Sequence, residues 1–228
     1  MTHSLHRVGT TNDLHCDYVI IVKPERGVNL EGSVSKCREL LRLFHRNGAV
    51  NITGARGKQY KGNFLESSLE QIIEAFKDGN SPYAVFDNID NLRRAIDEIK
   101  NKDFGFSVVV SGLEDDIKDI CDELGLKPHT YNHSLGIWGN NKLLPSPTVL
   151  AITTMCGHAM VSNDLVEKMV EKIKKGNISM EEASIELGKC CLCGIFNQKR
   201  AEKLLKLLVN DEELEDLKEC GIKGWNGK

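Results

Sequence analysis

Short β-branched and aromatic runs alternate with stretches whose apolar residues recur at helical spacing, and this alternation confines most of the chain to an α/β fold. Residues 17–23 form a β-branched run ended by Pro24, and 49–53, 83–86 and 104–110 are further short strand candidates. Between them, Val34, Cys37, Leu40, Leu41 and Phe44 mark one helical face, closed by Gly48, and Leu69, Ile72, Ile73 and Phe76 mark another. Asn88 can cap a helix through Ile99, and a further helix spans about 115–124 before Gly125. Residues 127–138 read as extended, a fifth strand. The order predicts a mixed sheet of βα units, with two tandem ferredoxin-like halves as the alternative.

Pro145 and Pro147 end this pattern, and almost everything after them has helical texture. Ser162 or Asn163 can cap a helix through Lys175, Ser179 and Glu182 form a capping-box pattern, and Asn197 can cap a helix through Leu208. The predicted organisation is an α/β domain over 1–145 followed by an all-helical, cysteine-rich subdomain over 146–228. With 228 residues a core can be buried without disulfide staples, so the eight cysteines need another explanation. The opening residues lack the apolar stretch and small-residue cleavage site of a secretory signal, and no apolar run is long enough to span a bilayer. The expectation is a cytoplasmic protein with no membrane partner, in a compartment that keeps thiols reduced. A net charge of -3 with interspersed lysines and acids argues against nucleic acid as a partner.

Four cysteines fall in two short segments: Cys156 in Thr153-Thr154-Met155-Cys156-Gly157-His158, and the triplet in Cys190-Cys191-Leu192-Cys193. Two antiparallel helices joined by a turn at Gly176 and Asn177 would return the triplet to the loop that carries Cys156. Thiolates gathered in a reducing cytosol favour soft metals, so Cys156, Cys190, Cys191 and Cys193 are the candidate ligands of an iron-sulfur cluster, most simply of the 4Fe-4S type. Zinc is the alternative metal. The separation from Cys156 to the adjacent Cys190 and Cys191 is similar to that in the cysteine-rich domains of heterodisulfide-reductase-like proteins, where a double cysteine ligates a cluster. That resemblance covers these three residues and implies a ligand role for the pair. The chain has no glycine after its double cysteine and no downstream C-x-x-C, so that family's activity does not carry over. Cys37 and Cys121 fit apolar helical faces and are assigned to packing.

An iron-sulfur protein with a redox or cofactor-linked role in an anaerobic or reducing setting is the leading expectation, its partner a redox protein or a small-molecule substrate. If three thiolates bind, an open iron could make it a lyase, with His158 or His133 moving the proton. Two further expectations are a zinc-stabilised interaction module and a thiol enzyme using Cys156, whose pKa a helix N-terminus and His158 would lower. His129, Tyr131 and His133 would share one face of the fifth strand, directed at the cysteines. A chain terminus is mobile unless tied down; if it is tied, His6 and Arg7 become anion-binding candidates, as do Arg56, Lys58 and Lys61 in their glycine-containing loop. Arg200, just beyond the triplet, would present positive charge to a cluster. No Walker-type or G-x-G-x-x-G sequence is present, which makes an ordinary ATP or dinucleotide site unexpected.

Overall fold

The computed structural model describes residues 4–54 and 65–214. Its elements run α1 (Thr11–Leu14), β1 (Tyr18–Lys23), α2 (Val34–Arg46), β2 (Asn51–Thr53), α3 (Leu69–Ala75), β3 (Tyr83–Phe86), α4 (Ile89–Lys102), β4 (Ser107–Ser111) and α5 (Glu114–Leu124). Four helices follow: α6 (Pro147–Thr153), α7 (Asn163–Lys174), α8 (Met180–Lys189) and α9 (Gln198–Val209). The chain is thus a mixed α/β protein whose α/β alternation gives way to helices, as its patterning predicts.

The sheet is not mixed. Its order is β2-β3-β1-β4 and every neighbouring pair is antiparallel, with Val19 opposite Val85 and Ser111. The connection through α2 carries the chain from β1 to a strand one place removed, and β3 returns in the opposite direction to fill the gap. Strand and helix succession alone cannot distinguish this from a parallel arrangement, because the crossover length is the same in both. The expected fifth strand over 127–138 is also absent: this segment takes no regular secondary structure. Its sequence supplies no alternating apolar face for the core, and Leu135 and Trp138 stand in solvent.

β1 explains the architecture. Tyr18, Ile20 and Val22 face a core built with α2, α3, α4 and α5, while Val19 and Ile21 face a second core built with α6, α7, α8 and α9. A strand covered on both faces reads as one continuous apolar run, which is why residues 18–22 show no alternation. The helices begin where their caps dictate. Ser68 and Ser179 each form a complete capping box, with Gln71 and Glu182 respectively, and Ser146, with Pro147 at the first helical position, starts α6. At the other end of α8, a Cβ on Gly188 would collide with the Leu65 side chain and stand 3.1 Å from the Phe196 ring, so glycine lets both side chains close on the helix.

Because both faces of β1 are buried, Ile20→Ala and Ile21→Ala should each cost about 2–5 kcal/mol. The check is chemical denaturation followed by circular dichroism. A loss for Ile20→Ala alone would show that the C-terminal helices do not depend on the sheet.

Candidate functional site

α6 ends at Thr153, and the chain turns through Cys156, Gly157, His158, Ala159 and Met160 before Ser162 caps α7. The Ala159 N–H donates to the Cys156 carbonyl at 3.0 Å, and Ala159 takes a left-handed φ of 53°. For a residue with a Cβ this costs about 1–2 kcal/mol. The turn directs the backbone N–H groups of Met160 and His158 at the Cys156 sulfur. α8 ends just before Cys190, and Cys191, Leu192, Cys193, Gly194 and Ile195 make a second turn. There the Gly194 N–H donates to the Cys191 carbonyl at 2.9 Å, Gly194 has φ 61°, and the Ile195 N–H donates to the Cys191 sulfur.

The two turns meet. Cys156 and Cys191 are both buried between the sheet and the C-terminal helices, and each shifts the acidity of the other. Cys193 Sγ lies 3.2 Å from His158 Nδ1. Cys190 stands apart from these two pairs, its thiol donating to the Glu186 carbonyl at 3.9 Å. Among the described residues no three His, Cys, Asp or Glu side chains gather as a lone metal ion requires; the donors form two pairs.

The pairing separates the acidities of the buried thiols. Hydrogen bonding from Cys191 is the main influence on Cys156; burial opposes it, while the His158 and Met160 N–H groups reinforce it, and the Cys156 pKa falls to about 6. Cys191 is pushed upward, first by that same bond and then by burial. Cys190 is raised by burial and by the charge of Cys156. Of the two, Cys156 is the more acidic and Cys191 the less. Cys156 also lines a cavity of about 410 Å³, together with His6, Thr153, Thr154, Ala159 and Asn163.

Comparison with known protein families, with characterised proteins and with solved structures finds no match. The site must be read from its own chemistry.

The second turn is anchored from below. Arg7 ion-pairs with Asp17 and donates to the Ile195 carbonyl, Asn51 donates to the Phe196 carbonyl at 3.0 Å, and Asn197 donates to Asp17 at 3.0 Å. Arg200 binds Asp17 at 2.7 Å, grips Asp13 and donates to the Val8 carbonyl at 2.5 Å. Arg7 and Arg200 were candidates for binding an anion or tuning a cluster; both guanidiniums are instead engaged with buried carboxylates. Burial alone would raise the Asp17 carboxyl, but Arg7 and Arg200 hold it below the usual range. The N-terminal segment is tied down from Ser4, which bonds Ser111 at 2.7 Å, and Val8 donates to Thr154 at 3.1 Å.

Of the other candidates, His133 is exposed and lies 3.6 Å from Glu114, on α5. His129 and Tyr131 are likewise exposed. His6, by contrast, reaches the cavity beside Cys156 and contacts Ser134 at 3.3 Å. Cys37 is fully buried in the core against α2's neighbours, and Cys121 is half-buried. His3, Arg56, Lys58, Lys61 and Cys220 lie outside the described residues. Asp13 and Asp17 belong to the site although neither lies in a motif. Asp17 had one signal: an acid at the head of a strand with two buried faces must find a cationic partner or remain outside the core.

Two outcomes follow. Asp17→Asn leaves two buried guanidiniums short of charge and should destabilise the fold by about 3–5 kcal/mol in denaturant titrations. Iodoacetamide should modify Cys156 at pH 7, at a rate that falls as pH drops through about 6 and protonates the sulfur. Cys191→Ala should move that midpoint upward, which peptide mass spectrometry across a pH series would read.

Proposed function

We propose that the two cysteine turns hold an iron-sulfur cluster and that the protein's role is redox or cofactor-linked. The observation that carries this reading is the meeting of the Cys156 and Cys191 turns, each sulfur accepting backbone N–H bonds from its own turn. N–H donors aimed at sulfur stabilise the thiolate form that iron requires, and hydrogen bonds to the sulfurs are among the influences that set a cluster's potential. Burial against the sheet keeps water from most of the centre, and the cavity at Cys156 leaves one approach for a small substrate or a redox partner.

A second reading is thiol chemistry at Cys156, favoured by its low pKa and its place on the cavity wall. In it Cys191, on the facing turn, would resolve a bond formed at Cys156.

The two separate on one preparation. Protein purified without oxygen and supplied with ferrous iron and sulfide should turn brown, bind iron and sulfide in stoichiometric amounts, and lose both in Cys156→Ser and Cys191→Ser. Colourless wild-type protein that takes up no iron, and forms a Cys156–Cys191 disulfide on mild oxidation, would overturn the cluster reading in favour of the thiol one. Stoichiometric zinc with no chromophore would overturn both.

A further inference from the structure

Three large apolar side chains stand in solvent on one short stretch between α5 and α6: Leu135, Trp138 and Leu143 are 78%, 72% and 80% exposed. The stretch is a run of tight turns. Trp138 Nε1 donates to the Leu135 carbonyl, the Asn141 N–H to the Gly139 carbonyl and the Leu143 N–H to the Asn140 carbonyl, each at 3.1 Å. Its near end is fastened to the rest of the fold, Ser134 to His6 at 3.3 Å and His133 to Glu114 at 3.6 Å. Single exposed apolar residues are ordinary, whereas several gathered on a held surface mark a place of contact.

We infer that this surface is the docking site of the chain's own residues 215–228. The path of the chain delivers them to it. Leu214, the last described residue, packs against the C-terminal core, and its N–H donates to Thr148 Oγ1 at 2.8 Å, while Glu213 accepts from the same hydroxyl at 2.5 Å. Thr148 follows Leu143 by five positions, so Leu143 lies at most about 25 Å from Leu214 even along extended backbone. Trp225 follows Leu214 by eleven positions, a reach of up to about 36 Å.

The composition of residues 215–228 suits the surface. Leu217, Ile222 and Trp225 offer apolar groups to Leu135, Trp138 and Leu143. From Gly221 onward the segment carries Lys223 and Lys228 and no acid, and α5, to which His133 fastens the stretch, displays the exposed acids Asp115 and Asp119. A tethered segment is also present at an effective concentration in the millimolar range, which a second copy of the chain does not reach in dilute solution. The docking is independent of the chemistry at Cys156, yet it adds cover next to the cavity, because Ser134 contacts the His6 that lines it.

The two tryptophans of the chain, Trp138 and Trp225, both fall in this contact, so the full chain carries its own probe. In Trp225→Phe, Trp138 is the sole tryptophan, and acrylamide should quench it several-fold less than free tryptophan amide at every protein concentration. Adding Ile222→Asp or Leu217→Asp should bring quenching up towards the free value, and hydrogen exchange over 135–143 should quicken with it. Circular dichroism of each variant reports that the fold is kept. A Trp138 as open to acrylamide as the free amide would overturn the docking, and so would shielding that survives both aspartates in folded protein. Shielding that disappears on dilution, together with a dimer in sedimentation, would also overturn it and give the surface to a second copy.

Discussion

A single buried carboxylate, Asp17, organises the site. It lies at the head of β1 and takes Arg7 from the N-terminal segment, Arg200 from α9 and Asn197 from that helix's cap. Arg200 also reaches Asp13 and the Val8 carbonyl, so two stretches far apart in sequence, Arg7 to Asp17 and the start of α9, converge on one ionic knot. A buried ion pair of this kind contributes little net stability compared with apolar packing, because desolvation offsets most of the Coulombic gain. Its effect is positional. Each donor must find its acceptor or remain unpaired in a low dielectric, which fixes where α9 begins relative to β1 and therefore where the turn before α9 can lie.

That turn is the one that carries Cys191 and Cys193. Arg7 holds the Ile195 carbonyl, Asn51 at the start of β2 holds the Phe196 carbonyl, and Gln198 donates to the Val50 carbonyl. The N-terminal segment and the start of the edge strand β2 thus grip the chain immediately after the cysteines. The opposing turn is held differently, by the covered helix α6 on one side and the Ser162 cap of α7 on the other. Val8, fixed by Arg200, bonds Thr154 and so connects the ionic knot to the Cys156 turn as well. The approach of the two cysteine turns follows from supports that contain no sulfur.

Elements with a strong local signal were legible in the sequence. The capping box at Ser179 and Glu182, the face from Val34 to Phe44 and the run at residues 18–22 appear in the fold within a residue or two of where their spacing puts them. The approach of Cys156 to the triplet was legible too, since a helical hairpin returns the chain to its starting end. Strand direction was not, because the crossover from β1 to β2 has the same length whether or not β3 lies between them. The state of the polar segment at 127–138 was not legible, because extended backbone without a partner strand has the same composition as an exposed edge strand. Nor could spacing reveal the roles of Arg7 and Arg200. Whether a guanidinium meets a ligand or a carboxylate depends on Asp13 and Asp17, which lie up to 187 positions away.

The assignment of those arginines bears on the chemistry at the cavity. With both guanidiniums committed to carboxylates, the side chains that line the space beside Cys156 are His6, two threonines, a serine, an asparagine and apolar groups. Such walls offer hydrogen bonds to a polar ligand. The thiolate at Cys156 would itself oppose a strongly anionic visitor. A small neutral ligand therefore matches the lining of this space better than a polyphosphate or a dicarboxylate.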